Sequence, residues 1–165
     1  MSISSFKAVQ HLYSFAAFFV VKRFLWADFL FPSTLQLSSF VDLLLEPIGS
    51  SELADRIQLG LHEALVNAVR HGNSGDPSKH LRVRRILTPN WFVWQIQDEG
   101  KGIPLNQRSA LLPSKLDATN GRGLFLIHHC FDDIRWSRRG NRLQLAARRS
   151  VLISDQDSQD PLFPS

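Results

Sequence analysis

Cysteine is almost missing from this chain, and the single residue, Cys130, excludes an intramolecular disulfide framework and a zinc module built on several thiolates. That usage fits a reducing compartment, so the cytoplasm is the expected location. A membrane-spanning run is missing too. The apolar stretch Leu12 to Val21 sits between Lys7 and the pair Lys22 and Arg23, but it is far short of the roughly 20 residues that a bilayer-crossing helix needs. No small-residue A-x-A pattern follows it between Phe24 and Phe31, so a secretory leader is not expected. Residues 1–23 read instead as an apolar extension, either an added helix or an overextended start. No internal repeat, low-complexity block or glycine- or proline-rich linker divides the chain. One domain over residues 24–149, followed by a polar, disordered tail over 150–165, is the expected organisation of these 165 residues.

Several signatures of catalysis are absent as well. There is no G-x-x-x-x-G-K-[ST] phosphate loop and no D-F-G or catalytic-loop signature of eukaryotic-type kinases. His62-Glu63 opens like a zinc-protease H-E-x-x-H, but Val66 stands where the second histidine must be. His128, His129 and Cys130 are adjacent, so on a helix they point in different directions and do not make a metal site; a packing role is expected for them.

What is present begins with positive charge. The chain carries 19 basic and 15 acidic residues, and Asp155, Asp157 and Asp160 lie beyond the last basic residue, Arg149. Before the tail, 19 basic residues therefore face 12 acidic ones, a balance of +7. Such a surface attracts phosphates, nucleic acid or an acidic protein without choosing among them, and a solvated basic face is the plainer reading. Arg82, Arg84, Arg85, Arg135, Arg138, Arg139 and Arg142 with Trp91, Trp94 and Trp136 could form a nucleic-acid surface. These residues fall on hairpins whose tryptophans can pack, so direct nucleic-acid binding is not expected, and neither is a membrane.

Periodicity predicts a strand over Trp26–Phe31, a break at Pro32-Ser33-Thr34, and a helix with Leu37, Phe40, Val41 and Leu44 on one side, ended by Pro47 and Gly49. A second helix from Ser51 to His71 carries the stripe Leu53, Ile57, Leu61, Ala64 and Ala68, with Gly72 placed to stop it. Leu81–Leu87 and Trp91–Asp98 read as a hairpin. A turn-rich segment, a helix from Gly123 to about Phe131 and a hairpin of Ile134–Ser137 with Arg142–Ala147 follow. The expected fold is an α/β two-layer sandwich, with a mixed, mainly antiparallel sheet and helices on one face.

Three segments carry chemistry. Glu63, Asn67 and His71 recur every four residues, which stacks a carboxylate, an amide and an imidazole on one face of the second helix. An exposed polar stripe is the plainer reading of that face. Asp98-Glu99-Gly100-Lys101-Gly102 ends a strand with glycines at alternate positions, which let the backbone approach a ligand. Asn120-Gly121-Arg122-Gly123-Leu124 opens a helix whose free amides, beside Arg122, can cradle a phosphate.

In this order and on these elements, Glu63-x-x-x-Asn67-Ala68-x-x-His71-Gly72, Asp98-x-Gly100-x-Gly102 and Gly121-Arg122-Gly123-Leu124 resemble the N, G1 and G2 boxes of the Bergerat-fold (GHKL) ATPases. The short interval from Gly102 to Gly121 looks most like the anti-sigma-factor serine/threonine kinases. The resemblance implies ATP and Mg²⁺ as cofactors, Glu63 as the base that orients an attacking hydroxyl, and Asn67 as the Mg²⁺ ligand. It implies that Asp98 accepts from the adenine amine, that Gly100 and Gly102 line the base and ribose, and that Gly121, Arg122, Gly123 and Leu124 close over the phosphates, with Leu105–Asn120 as a lid. His71 is expected at the nucleotide or as a cap. The implied partners are a STAS-type anti-sigma-factor antagonist, a sigma factor and a second copy of the chain; an ATP-binding module that captures a partner without phosphotransfer is the alternative. One departure stands out: Gly140-Asn141-Arg142 replaces the Gly-Thr-x usual in the last hairpin.

Overall fold

Alternating burial along the central strands builds this molecule. The computed structural model describes residues 19–21, 24–49, 51–108 and 122–149. Strands β1 (Phe19–Val21) and β2 (Phe24–Pro32) precede helices α1 (Ser38–Leu45) and α2 (Glu52–Asn67). Strands β3 (His80–Leu87) and β4 (Trp91–Gln97), helix α3 (Arg122–Cys130), and strands β5 (Asp133–Trp136) and β6 (Arg142–Arg148) complete the order. The strands form one sheet in the order β1-β2-β3-β4-β6-β5. The sheet was expected to be mixed and mainly antiparallel; among the described strands every pairing is antiparallel.

Register and side-chain alternation put Phe31, Leu81, Val83, Trp94, Ile96, Leu143 and Leu145 on the inner face, where all are buried. Against that face pack Phe40, Val41 and Leu44 of α1 and Ile57, Leu61, Ala64 and Leu65 of α2. Ser51 caps α2 by accepting the Ala54 N–H at 3.2 Å, and Glu52 and Asp55 put negative charge into its first turn, where the helix dipole favours it.

Two departures from the sequence reading bear on the site. The segment before Phe24 was expected as an apolar extension, an added helix or an overextended start; of it, Phe19–Val21 is a strand that extends the sheet, pairing with Trp26, Leu25 and Phe24. The reason is the open edge of β2, whose unpaired backbone groups template a neighbour. The second helix does not run to His71 in α form: Ala68–Gly72 make a wider π turn, in which the Asn73 N–H reaches back to the Ala68 carbonyl at 2.8 Å. Residues 109–121, including Gly121 and most of the expected lid, and residues 150–165, expected as a tail, lie outside the described residues; Leu105–Gln107 form one 3₁₀ turn. No helix among the described residues is long and apolar enough to cross a membrane.

Arg85 and Trp94 occupy paired positions on the inner face and serve α1 rather than a nucleic acid. Arg85 is only 5 % exposed; its Nη1 donates to the Leu43 carbonyl at 2.7 Å, and its guanidinium lies 5.5 Å from the Phe29 ring centre. Trp94 donates Nε1 to the Leu44 carbonyl at 3.3 Å. Two adjacent carbonyls at the helix end, which have no partner within the helix, are thus satisfied by side chains rising from the sheet. A cation at a helix C-terminus is also favoured by the dipole, which offsets part of the cost of burying Arg85. Arg85→Ala is expected to destabilise the protein by about 2–4 kcal/mol, because it orphans a carbonyl and leaves a void. Urea unfolding of the full chain measures this, and a loss well below about 1 kcal/mol would show that the anchor carries no weight.

Candidate functional site

Glu63 and Asn67 stand one turn apart on α2, half-buried, and face the start of α3. Their closeness to it is measured at Gly123: a Cβ built there would lie 3.1 Å from Asn67 Nδ2 and 3.2 Å from Glu63 Oε2. Packing of α2 on α3 therefore brings the first and third motifs together. Arg122 is the first residue of α3, and Leu124 packs against the core.

The second motif arrives from the sheet. β4 ends at Gln97 opposite Arg142, and the pairing continues for one more residue: the Asp98 N–H donates to the Asn141 carbonyl at 3.0 Å, and Asn141 Nδ2 donates to the Asp98 carbonyl at 3.2 Å. The asparagine that stands in place of a threonine thus ties β6 to the base of this loop. Gly102 has φ +88°, and a Cβ there would strike the Arg139 carbonyl, so only glycine fits the turn. The Ile103 N–H then bonds the Gly140 carbonyl at 3.1 Å. Arg108 closes this end of the loop, donating to the carbonyls of Ile103, Ser137 and Arg138 at 2.8, 3.1 and 3.1 Å.

Between α2, α3 and this loop lies a cavity of about 480 Å³. Its apolar wall comprises Ala64, Ala68, Ile96, Ile127, Trp136 and Leu143, with Ile96 and Leu143 directly opposed in the sheet. Asn67, His71, Asp98, Gly100 and Gly102 also line it, together with Lys79, Lys101 and Arg139. Glu63 and Gly123 are not part of the lining and sit beside Asn67 at one end; Leu124 is not part of it either. A concave, mostly apolar volume with a few convergent polar groups suits a flat heterocycle bearing a polar edge.

Asp98 supplies that edge. Burial pushes its carboxyl above the ordinary carboxylate value, against the Gly100 N–H, which donates to Oδ1 at 2.7 Å, and against the Arg139 and Lys79 charges. Half-buried and acceptor-only when ionised, it is built to receive an N–H from a ligand.

Sequence reasoning missed the apolar wall, Arg108 and Asn73. The last is fully buried and its side chain bonds three segments, accepting the Glu99 N–H at 2.9 Å and donating to Ser33 Oγ at 3.2 Å and the His80 carbonyl at 3.1 Å. Its position directly after Gly72 was the available signal, since a helix end needs side chains for its leftover backbone groups.

The family model for the histidine kinase-like ATPase domain matches residues 37–147, which is 111 of the 165 residues and spans every element from α1 into β6. The chain belongs to this family. No curated protein matches it. The match begins after β2, a strand that pairs along the whole of β3 and contributes Phe31 to the core.

ATPase domains of this family bind ATP, usually with Mg²⁺, and the residues present fit both. The apolar wall and the Asp98 carboxylate suit adenine. Asn67, on the cavity lining beside Glu63, is the amide that would hold Mg²⁺ together with phosphate and water oxygens.

The raised carboxyl of Asp98 has a consequence for stability. A group whose folded pKa exceeds its unfolded value contributes stability below the unfolded pKa, here 3.8, and loses it as pH rises through the folded one. Ionised Asp98 therefore costs the empty protein stability at neutral pH. Asp98→Asn, which keeps an acceptor for the Gly100 N–H, is expected to raise the Tm at pH 7 without nucleotide, and the gain should vanish below the ordinary carboxylate range. Thermal unfolding across pH measures both; a lower Tm at pH 7 would contradict the assignment.

Proposed function

We propose that this ATPase domain is a serine/threonine protein kinase of the anti-sigma type, which transfers the terminal phosphoryl group of ATP to a serine or threonine of a STAS-type antagonist in a partner-switching pathway. A sigma factor and a second copy of the chain are the further partners of this proposal. The observation that carries it is the convergence of Glu63 and Asn67 on Gly123 at one end of the cavity, with Asp98 on its lining. A base and a metal ligand placed together at the phosphate end serve transfer; a domain that only holds ATP needs no base there.

Phosphoryl transfer demands positioning and charge neutralisation more than covalent help from the protein. Asn67 holds the metal, whose positive charge offsets the charge on the phosphate oxygens. Glu63 accepts the proton of the attacking hydroxyl as its oxygen bonds to phosphorus and the bond to ADP breaks. Asp98 accepts from the exocyclic amine of adenine, where guanine carries a carbonyl that it would repel. The amides at the start of α3 face the transferred group.

Calorimetry with ATP and GTP tests the site. Micromolar, Mg²⁺-dependent and adenine-selective binding, about −8 kcal/mol, is expected for the unaltered protein. Asn67→Ala should abolish the Mg²⁺-dependent part. Glu63→Ala should bind ATP normally and lose transfer to a STAS-type substrate by at least about 10²-fold, as removal of a general base does. Undiminished transfer by Glu63→Ala would remove the assigned base. Normal ATP binding with no transfer by the unaltered protein would favour a non-catalytic module that captures a partner when ATP is bound.

A further inference from the structure

Asn73 does not line the cavity, although Gly72, Ser74 and Glu99 around it do. Asn73 is 0 % exposed, and both ends of its amide are engaged: Oδ1 accepts the Glu99 N–H, and the two hydrogens of Nδ2 go to Ser33 Oγ and the His80 carbonyl. The His80 N–H in turn donates to Glu99 Oε1 at 2.9 Å, so Asn73, His80 and Glu99 close a three-membered ring. The Asn73 backbone is held as well, its N–H on the Ala68 carbonyl of the π turn and its carbonyl under the Asp76 N–H at 3.2 Å.

We propose that Asn73 is the positioning residue for the purine-reading loop, fixing the Asp98–Gly100 peptides against the end of α2 and so setting the choice of base; this rests on the nucleotide-binding reading of the cavity. The loop is gripped at three successive residues. Asp98 is paired with Asn141 through backbone and side chain, Glu99 hangs from Asn73, and Gly100 passes so close to the Gly72 carbonyl that a Cβ would collide with it. The Asp98 carboxylate is aimed by the Gly100 N–H, so a rotation of the Glu99 peptide would carry Gly100 and the aim with it. The peptide between Asp98 and Glu99 is held from both sides, its carbonyl by Asn141 Nδ2 and its N–H by Asn73 Oδ1, and of the two only Asn73 ties it to the segment that ends the second helix. The role requires an amide. An aspartate offers no donors for Ser33 and His80, and an apolar residue leaves the Glu99 N–H unsatisfied.

Hydrogen exchange at the Glu99 amide and the ATP-to-GTP affinity ratio test this together, on the full chain well below its Tm. In the unaltered protein the Glu99 amide should be strongly protected; exchange at the rate of an open peptide would overturn the tie without any variant. Asn73→Ala should speed exchange at Glu99 by roughly tenfold or more and lower the ATP-to-GTP preference by roughly tenfold, the effect of losing one well-placed bond. Ser33→Ala loosens the same amide from β2 but keeps the ring, so it should lower the Tm and leave both readouts unchanged. If Ser33→Ala and Asn73→Ala shift selectivity equally, or if Asn73→Ala lowers the Tm alone, Asn73 is a packing residue and the proposal fails. If the unaltered protein binds no nucleotide, the nucleotide reading fails and the selectivity role with it, while a protected Glu99 amide would still establish the tie.

Discussion

The pairing of β4 with β6 is the constraint on which the site depends. A slip of one residue would turn Ile96 and Leu143 to the outer face and replace them in the cavity wall with polar neighbours. The same register delivers Asp98 opposite Asn141 and sets Gly102 and Ile103 against the turn at Gly140. Because backbone bonds carry this arrangement, the carboxylate that reads the base is held by the sheet itself. The amide and carboxylate of α2 are held differently, through the packing of that helix on the sheet and on α3. The site joins a rigid rail to a packed helix, and Asn73 is the side chain that spans the two.

Three polar groups on or under the inner face are accommodated in three ways. Arg85 keeps its charge and caps a helix; Asn73 is neutral and has a partner for both polar atoms; Asp98 is left partly uncompensated, its carboxyl raised by burial. The first two stabilise the fold, while the third sits at the cavity and opposes the fold at neutral pH, which is where cost is tolerated when a ligand provides the missing partner. The outer face shows the opposite balance. Burial of Asp28 would raise its carboxyl, but Arg84 at 3.0 Å and Arg82 at 3.3 Å outweigh it and hold the carboxyl below the ordinary value.

Much of this was legible in the sequence because the inner strands alternate cleanly. Phe92, Trp94 and Ile96 all lie on the buried face, and the stripe Ile57, Leu61, Ala64 and Ala68 is buried as its spacing requires, with Leu53 only half-covered. The three motifs were visible as residue types at fixed spacing on elements of known direction. The π turn was not, since nothing in the order Ala68-Val69-Arg70-His71 distinguishes a wide turn from a regular one until the Asn73 N–H finds the Ala68 carbonyl. The burial of Arg85 was not legible for a physical reason: an arginine beside Arg84 on a hairpin has the composition of a solvated face, and only the strand register puts it inside. Arg108 and the cavity wall depend on residues far apart in sequence, which periodicity does not connect.

The placement of β1 matters for how the chain behaves in solution. Its three residues pair with Phe24, Leu25 and Trp26, so among the described residues Ala27–Pro32 has no strand on that side. Along Ala27–Pro32, Ala27 and Phe31 are buried while Leu30 is 64 % exposed, and a bare strand edge is a template for pairing with other chains. Asp28, pinned in its arginine fork, and Pro32, which offers no donor, are the two features that blunt it. An ion-paired carboxylate and a proline on an edge strand are the kind of feature that limits edge-to-edge pairing.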